Sequence, residues 1–213
     1  EMCIRDSICI NLLKILTIYM NEGIDPMDGQ NKLGDVKPRK MKDITSFEEF
    51  YDGYKELLDY YMDLSVKAQY ASYGIMNDHV SFLFNSILMD DCIARGKALL
   101  DGGVRYLGGT CETYGNINAS DSLMAVKHLV FDTGKYTLPQ LETAMLANFE
   151  GYEEIRKDCI ACDKYGNDLD TADGMANDFY EFIAKGIRDR GIAIGMQYYL
   201  CLLYTSPSPR DAH

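Results

Sequence analysis

No stretch of 18 consecutive apolar residues occurs in this 213-residue chain, so no membrane span is expected. The longest apolar segment, ICINLLKILTIYM at 8–20, is short and interrupted by Asn11 and Lys14, and it reads as a buried helix. Positive charge is also scarce. The net charge of -12 argues against nucleic acid or an anionic membrane as partner, because both demand a basic face. The start, EMCIRDS, has no basic segment ahead of an apolar one and so lacks the shape of a secretory signal. No internal repeat is visible. The seven cysteines, at 3, 9, 92, 111, 159, 162 and 201, contain a single C-x-x-C pair, Cys159 and Cys162. A zinc site needs a second close pair or a nearby histidine, and His79 and His128 are isolated, so no metal site is expected. The same sparse pattern is unlike a secreted disulfide scaffold and points to reduced thiols in a cytoplasmic protein.

What is present is ordinary for a globular protein: 47% hydrophobic and 25% charged residues, with length enough for one domain and a real core. A helix is predicted over about 8–22, ended by Gly23 as a left-handed cap. Residues 24–43 read as loop. SFEE at 46–49 matches a capping box, and Phe47, Phe50, Tyr54, Leu57, Leu58 and Tyr61 then form one stripe of a long amphipathic helix to about residue 72. A helical stretch is predicted over 80–100, then a strand at VRYL (104–107), then a glycine-led loop, GGTCETYGN. Helices follow at about 121–131, at about 137–149 behind a second capping box (TLPQ), at 152–161 and at 169–188. IAIGMQYYL (192–200) reads as a strand. Isolated short strands cannot form a stable sheet alone. Both ends, residues 1–7 and 201–213, resemble translated adapter read-through and read as assembly scars.

Three stretches carry a family resemblance: DDCIARGKALLDGGVRYLGG (90–109), ASDSLMAVKHLVFDTGKYTLPQLETAMLANFEGYEEIRK (119–157) and KYGNDLDTAD (164–173). With NLLKILTIYMNEGID and ITSFEEFYDGYKELLDYYM upstream, the chain resembles the glycyl radical enzymes of the pyruvate formate-lyase family over residues 8–200. The likeness is nearest to the dehydratase, choline-lyase and decarboxylase branches. The resemblance implies a helix-rich α/β fold, part of a ten-stranded barrel built from two half-barrels. It implies a homodimer acting on a small-molecule substrate through a thiyl radical, fed by a backbone glycyl radical. A separate S-adenosylmethionine and [4Fe-4S] activating enzyme installs that radical. The radical cysteine, usually in a C-x-E element, is expected just ahead of residue 8 and the radical glycine beyond residue 200. Residues 8–200 alone are therefore expected to be an inactive middle piece that folds poorly without the rest. A lyase reaction fits better than formate acetyl transfer, and a non-catalytic helical interaction module is the reading from another class.

Cys111 and Glu112 are adjacent, not C-x-E. Neighbours in an extended backbone point to opposite faces, so thiol and carboxylate are not expected to share a substrate. Cys111 reads as a packing residue. Glu112, on a glycine-led segment beside a strand, is the candidate acid/base. Tyr106, Thr110, Thr113 and Tyr114 are candidate pocket residues, and Arg105 is expected to pair with surface acids. KYGND reads as a turn and helix entry, and His128 as a surface residue.

Overall fold

The computed structural model describes residues 7–80 and 82–202. The expected scars at 1–7 and 201–213 lie almost wholly outside the described residues. Two compact units divide the chain. Among the described residues, one comprises 7–10, Tyr61–Tyr114 and 183–202, the other Asn11–Tyr60 and Gly115–Phe182, and the division falls within two long helices.

The second unit is helical. Helix α1 spans Leu12–Met20, shorter than predicted, because Asn11 caps it: its side chain accepts from the Lys14 amide at 3.0 Å. The residues ahead of Asn11 form a strand, β1 (Ser7–Asn11), which the apolar run had hidden inside the helix. Gly23 takes the left-handed conformation expected, with φ 90°, and its amide donates to the Ile18 carbonyl at 2.8 Å. Helix α2 (Phe47–His79) starts where the capping box placed it. Ser46 accepts from the Glu49 amide at 3.1 Å, while the Glu49 carboxylate reaches back to the Thr45 amide at 3.0 Å.

The stripe on the first half of α2 is the centre of this unit's core. Phe50, Tyr54, Leu57 and Leu58 are all fully buried. The Tyr54 ring stacks on Phe179 with centroids 5.9 Å apart, and its hydroxyl donates to the Leu12 carbonyl at 2.8 Å. A buried tyrosine hydroxyl usually finds such an acceptor, which offsets the cost of taking it out of water. Around it lie α5 (Asn116–Val126), α6 (Leu138–Leu146), α7 (Glu153–Ala161) and the start of α8 (Asp170–Ala193). The TLPQ capping box forms as predicted, with Thr137 and Gln140 satisfying each other's backbone. Helix α5 begins earlier than expected and runs into a π-helical turn, Lys127–Asp132, that leaves His128 exposed. KYGND is indeed a turn: the Tyr165 amide donates to Asp121 and the Gly166 amide to Asp173, the latter inside the first turn of α8.

The other unit holds the sheet. Strand β2 is Gly108–Tyr114 and β3 is Gln197–Leu202, and they pair in parallel from Gly108↔Gln197 to Thr113↔Leu202. The sheet order is β1-β2-β3. The predicted strand at 104–107 is instead a series of bends, and the predicted glycine-led loop is the strand. The glycines are there for close approach. A Cβ on Gly108 would meet the Gln197 carbonyl oxygen at 2.8 Å, and one on Gly109 would meet Gln69 at 3.1 Å and the Tyr198 ring at 3.2 Å. The single helix predicted over 80–100 is broken into α3 (Leu83–Leu88), α4 (Cys92–Arg95) and a 3-10 turn at Leu99–Asp101. Phe82 (φ 41°) and Asp91 (φ 71°) adopt left-handed conformations that a continuous helix forbids.

Candidate functional site

Alternation along β2 gives the sheet two different faces. Gly109, Cys111 and Thr113 point to one, and Thr110, Glu112 and Tyr114 to the other. The first face is covered. Cys111 is fully buried, with Ser65 of α2 and Tyr198 of β3 as its polar neighbours. Burial pushes this thiol up to about 11, so it carries no thiolate near neutrality and is not a nucleophile. Thr113 is buried on the same side, 3% exposed.

The second face presents the carboxylate of Glu112. Glu112 is 6% exposed, and its carboxylate accepts from the Cys9 thiol of β1 at 3.6 Å. Tyr114, two residues on, is a polar neighbour of both Cys9 and Glu112. Burial, and then the negative charge of Glu112, raise the Cys9 thiol above its ordinary range. Burial and the same two neighbours also raise Tyr114. Both groups therefore stay protonated at neutral pH, and the Cys9 thiol donates to the carboxylate. On β3, Tyr199 stands beside Thr110 in register and is 51% exposed. The Thr110 hydroxyl is buried and has no hydrogen-bond partner among the described residues. Unpaired buried hydroxyls are uncommon, and one beside an oriented carboxylate suits a ligand's polar group.

Of the residues named from sequence, Thr110, Glu112 and Tyr114 come together on this face. Thr113 lies on the opposite one. Tyr106 precedes the strand and is 66% exposed, and it lines a separate groove of about 640 Å³ with Tyr73, Met76, Leu88 and Leu107. Its neighbour Arg105 pairs with Asp91 at 3.0 Å, the surface pairing expected of it, and that contact holds the Asp91 carboxyl below its usual range. Sequence reasoning missed Cys9, because its partner is 103 residues away and because its strand was read as helix. It also missed Tyr199, whose place beside Thr110 depends on register. Among the described residues, no cluster of three His, Cys, Asp or Glu side chains is arranged to hold a metal ion, and no helix is long and apolar enough to cross a membrane.

The fold is helix-rich α/β, and comparison with known proteins gives the family. A family model described as pyruvate formate lyase-like matches residues 1–207. The chain is 31% identical over 198 residues to trans-4-hydroxy-L-proline dehydratase of Clostridioides difficile, covering 92% of this chain and 25% of that protein. It is 26% identical over 222 residues to the glycyl radical subunit of 4-hydroxyphenylacetate decarboxylase of Clostridium scatologenes, covering 92% and 24%. The crystal structure of the C. difficile hydroxyproline dehydratase with its substrate bound matches with a TM-score of 0.84 at 30% identity, over 92% of this chain and 25% of that one. The chain belongs to the pyruvate formate-lyase-like family, and its helix-rich α/β fold matches part of the barrels of glycyl radical enzymes. It spans about a quarter of the length of the curated relatives it matches.

Proposed function

We propose that residues 8–200 form part of the catalytic barrel of a glycyl radical lyase, of dehydratase, C–N lyase or decarboxylase type, acting on a small polar metabolite. The observation that carries this reading is the polar sheet face. In a chain similar throughout to radical dehydratases and decarboxylases, Glu112 accepts from Cys9 beside Tyr114 while the covered face is sealed by α2 and Tyr198. In the full-length enzyme, a glycyl radical installed by a separate activating enzyme supplies the hydrogen-abstracting chemistry. The residues described here bind and orient. Thr110 offers an unpaired hydroxyl to a substrate oxygen, and Tyr114 and Tyr199 flank the strand with aromatic area. Glu112 takes or returns a proton at the departing group. A buried carboxylate held by an oriented donor is a preorganised acceptor, which is why elimination of water or amine, or decarboxylation, suits it better than formate acetyl transfer. The lone piece would have no turnover, since both radical carriers are assigned to other parts of the polypeptide. A homodimeric, cytoplasmic enzyme is the setting consistent with this reading.

The test is Glu112→Gln in the full-length protein, activated without oxygen. The glycyl radical signal in electron paramagnetic resonance should persist while lyase turnover falls by roughly two to four orders of magnitude, the usual worth of a general acid or base. Unchanged turnover would remove Glu112 from the chemistry. A full-length protein in which no glycyl radical can be raised by any activating enzyme would remove the class.

A further inference from the structure

Two cavities in the helical unit share a wall. One, of about 280 Å³, is apolar and is lined by Leu16, Met20, Val126, Leu141 and Met145. The other, of about 350 Å³, is lined by Asn118, Asp121, Arg156, Ile160 and Lys164. Leu13, Ser122, Ala125, Phe149 and Cys159 line both, so the two are arms of one groove. Its apolar arm has a firm floor, since Leu16, Met20, Val126 and Leu141 are buried. The hydroxyls of Thr17 and Ser122 in its wall donate within their own helices, to the carbonyls of Leu13 and Asn118.

The polar arm carries two cations in a strongly acidic chain. Arg156 is exposed on α7 and forms no salt bridge among the described residues. The Lys164 ammonium is fixed on the carbonyls of Cys159 at 2.9 Å and Cys162 at 2.8 Å, which uses two of its three donors. Asp121 faces the same arm, and one of its oxygens accepts from the Tyr165 amide at 2.9 Å. At the junction stands Phe149. It and Asn148 both adopt left-handed backbone conformations, with φ 59° and 50°. Two successive non-glycine residues in that region, one of them aromatic, are uncommon, and such strain concentrates where a ligand is clamped.

We propose that this groove binds a small amphipathic monocarboxylate, with its hydrocarbon tail in the apolar arm and its carboxylate at Arg156 and Lys164. The site is separate from the Glu112 sheet face and does not depend on the reaction assigned there. Concavity, an apolar lining and a few convergent polar groups are the ordinary make-up of a small-molecule site. Because the chain's net charge of -12 repels anions, binding depends on the local cation pair and should weaken with added salt.

Cys159 at the junction gives the readout, and Cys162, which lines a different cavity with His128 and Met175, gives the internal control. In the intact protein containing these residues, alkylation of each thiol by iodoacetamide would be followed by peptide mass. Millimolar sodium octanoate should slow Cys159 about tenfold and leave Cys162 unchanged, with 1-octanol protecting less and octylammonium chloride least. Arg156→Gln, an exposed change that leaves the core alone, should remove most of the octanoate protection while sparing that by octanol. No protection by octanoate, or protection by octylammonium equal to it, would overturn the assignment. So would an Arg156→Gln protein that octanoate still protects fully.

Discussion

The first half of α2 and the stretch from Phe82 to Ile93 carry similar densities of apolar residues and meet opposite fates. In the helix, Phe50, Tyr54, Leu57 and Leu58 are all fully buried. In the stretch, Leu83, Phe84, Leu88 and Ile93 are between 68% and 74% exposed. Composition does not separate them, but neighbours do. The α2 stripe has the 3.6-residue spacing that matches α1 and α8 within the same unit, so its area leaves water. The later stretch is cut at Phe82 and Asp91 into helices too short to present one continuous face. An exposed apolar surface of this extent in a folded protein marks a surface made for a partner. The chain spans about a quarter of its relatives' length, and under the proposed reading the remainder of a catalytic barrel is what would cover this surface.

The sharpest way to break this contrast is to truncate a core side chain. Leu58→Ala should cost ~2–5 kcal/mol in chemical denaturation, the range for buried leucines whose surroundings cannot collapse into the space. A loss below 1 kcal/mol would mean that the stripe is loosely packed and the contrast false. Gly23→Ala ranks next. A Cβ there would lie 2.2 Å from the Leu33 side chain, at a φ of 90° that alanine resists. Strain and displacement together should cost ~1–3 kcal/mol. Phe84→Ser tests the other side. At 74% exposure it should change stability by no more than ~0.5 kcal/mol, as surface changes do, while raising the solubility of the 213-residue chain. A large loss of stability would show that Phe84 packs in this chain after all.

Much of this contrast was legible from residues alone. The α2 stripe, both capping signals, the Gly23 stop and the KYGND turn follow from local chemistry, and the structure puts each where the spacing placed it. The strands were harder, for physical reasons. ICIN merges with an apolar helix, so only the Asn11 cap separates them. GGTCETY has two glycines and a carboxylate where a half-buried strand would show alternating bulk. The glycines there admit neighbouring atoms rather than turn the chain. The breaks at Phe82 and Asp91 rest on left-handed residues that are not glycine, for which sequence has no signal. The candidate site divides similarly. Alternation separates Cys111 from Glu112 from sequence alone, but the Cys9–Glu112 contact and the place of Tyr199 depend on which strands lie side by side.

The smallest effect concerns that site and leaves the contrast in packing untouched. Glu112→Gln removes a charge without removing volume, so folding stability should hardly move. The thiol of Cys9 should respond. Burial is the larger cause of its raised value and stays in the variant, but the charge of Glu112 and the bond to its carboxylate also raise it. A negative neighbour disfavours the thiolate, so its removal must lower the thiol's value. Because alkylation follows the thiolate, Cys9 in Glu112→Gln should react faster than in the parent at any pH below the parent's midpoint, with the two rates converging at high pH. Cys111, on the same strand as Glu112, is the comparison thiol. It faces the covered side, where burial dominates and Glu112 is the last and least of its influences, so its rate should stay nearly unchanged. Equal acceleration of both thiols would mean that the substitution had opened the sheet instead of removing a charge from one of its faces.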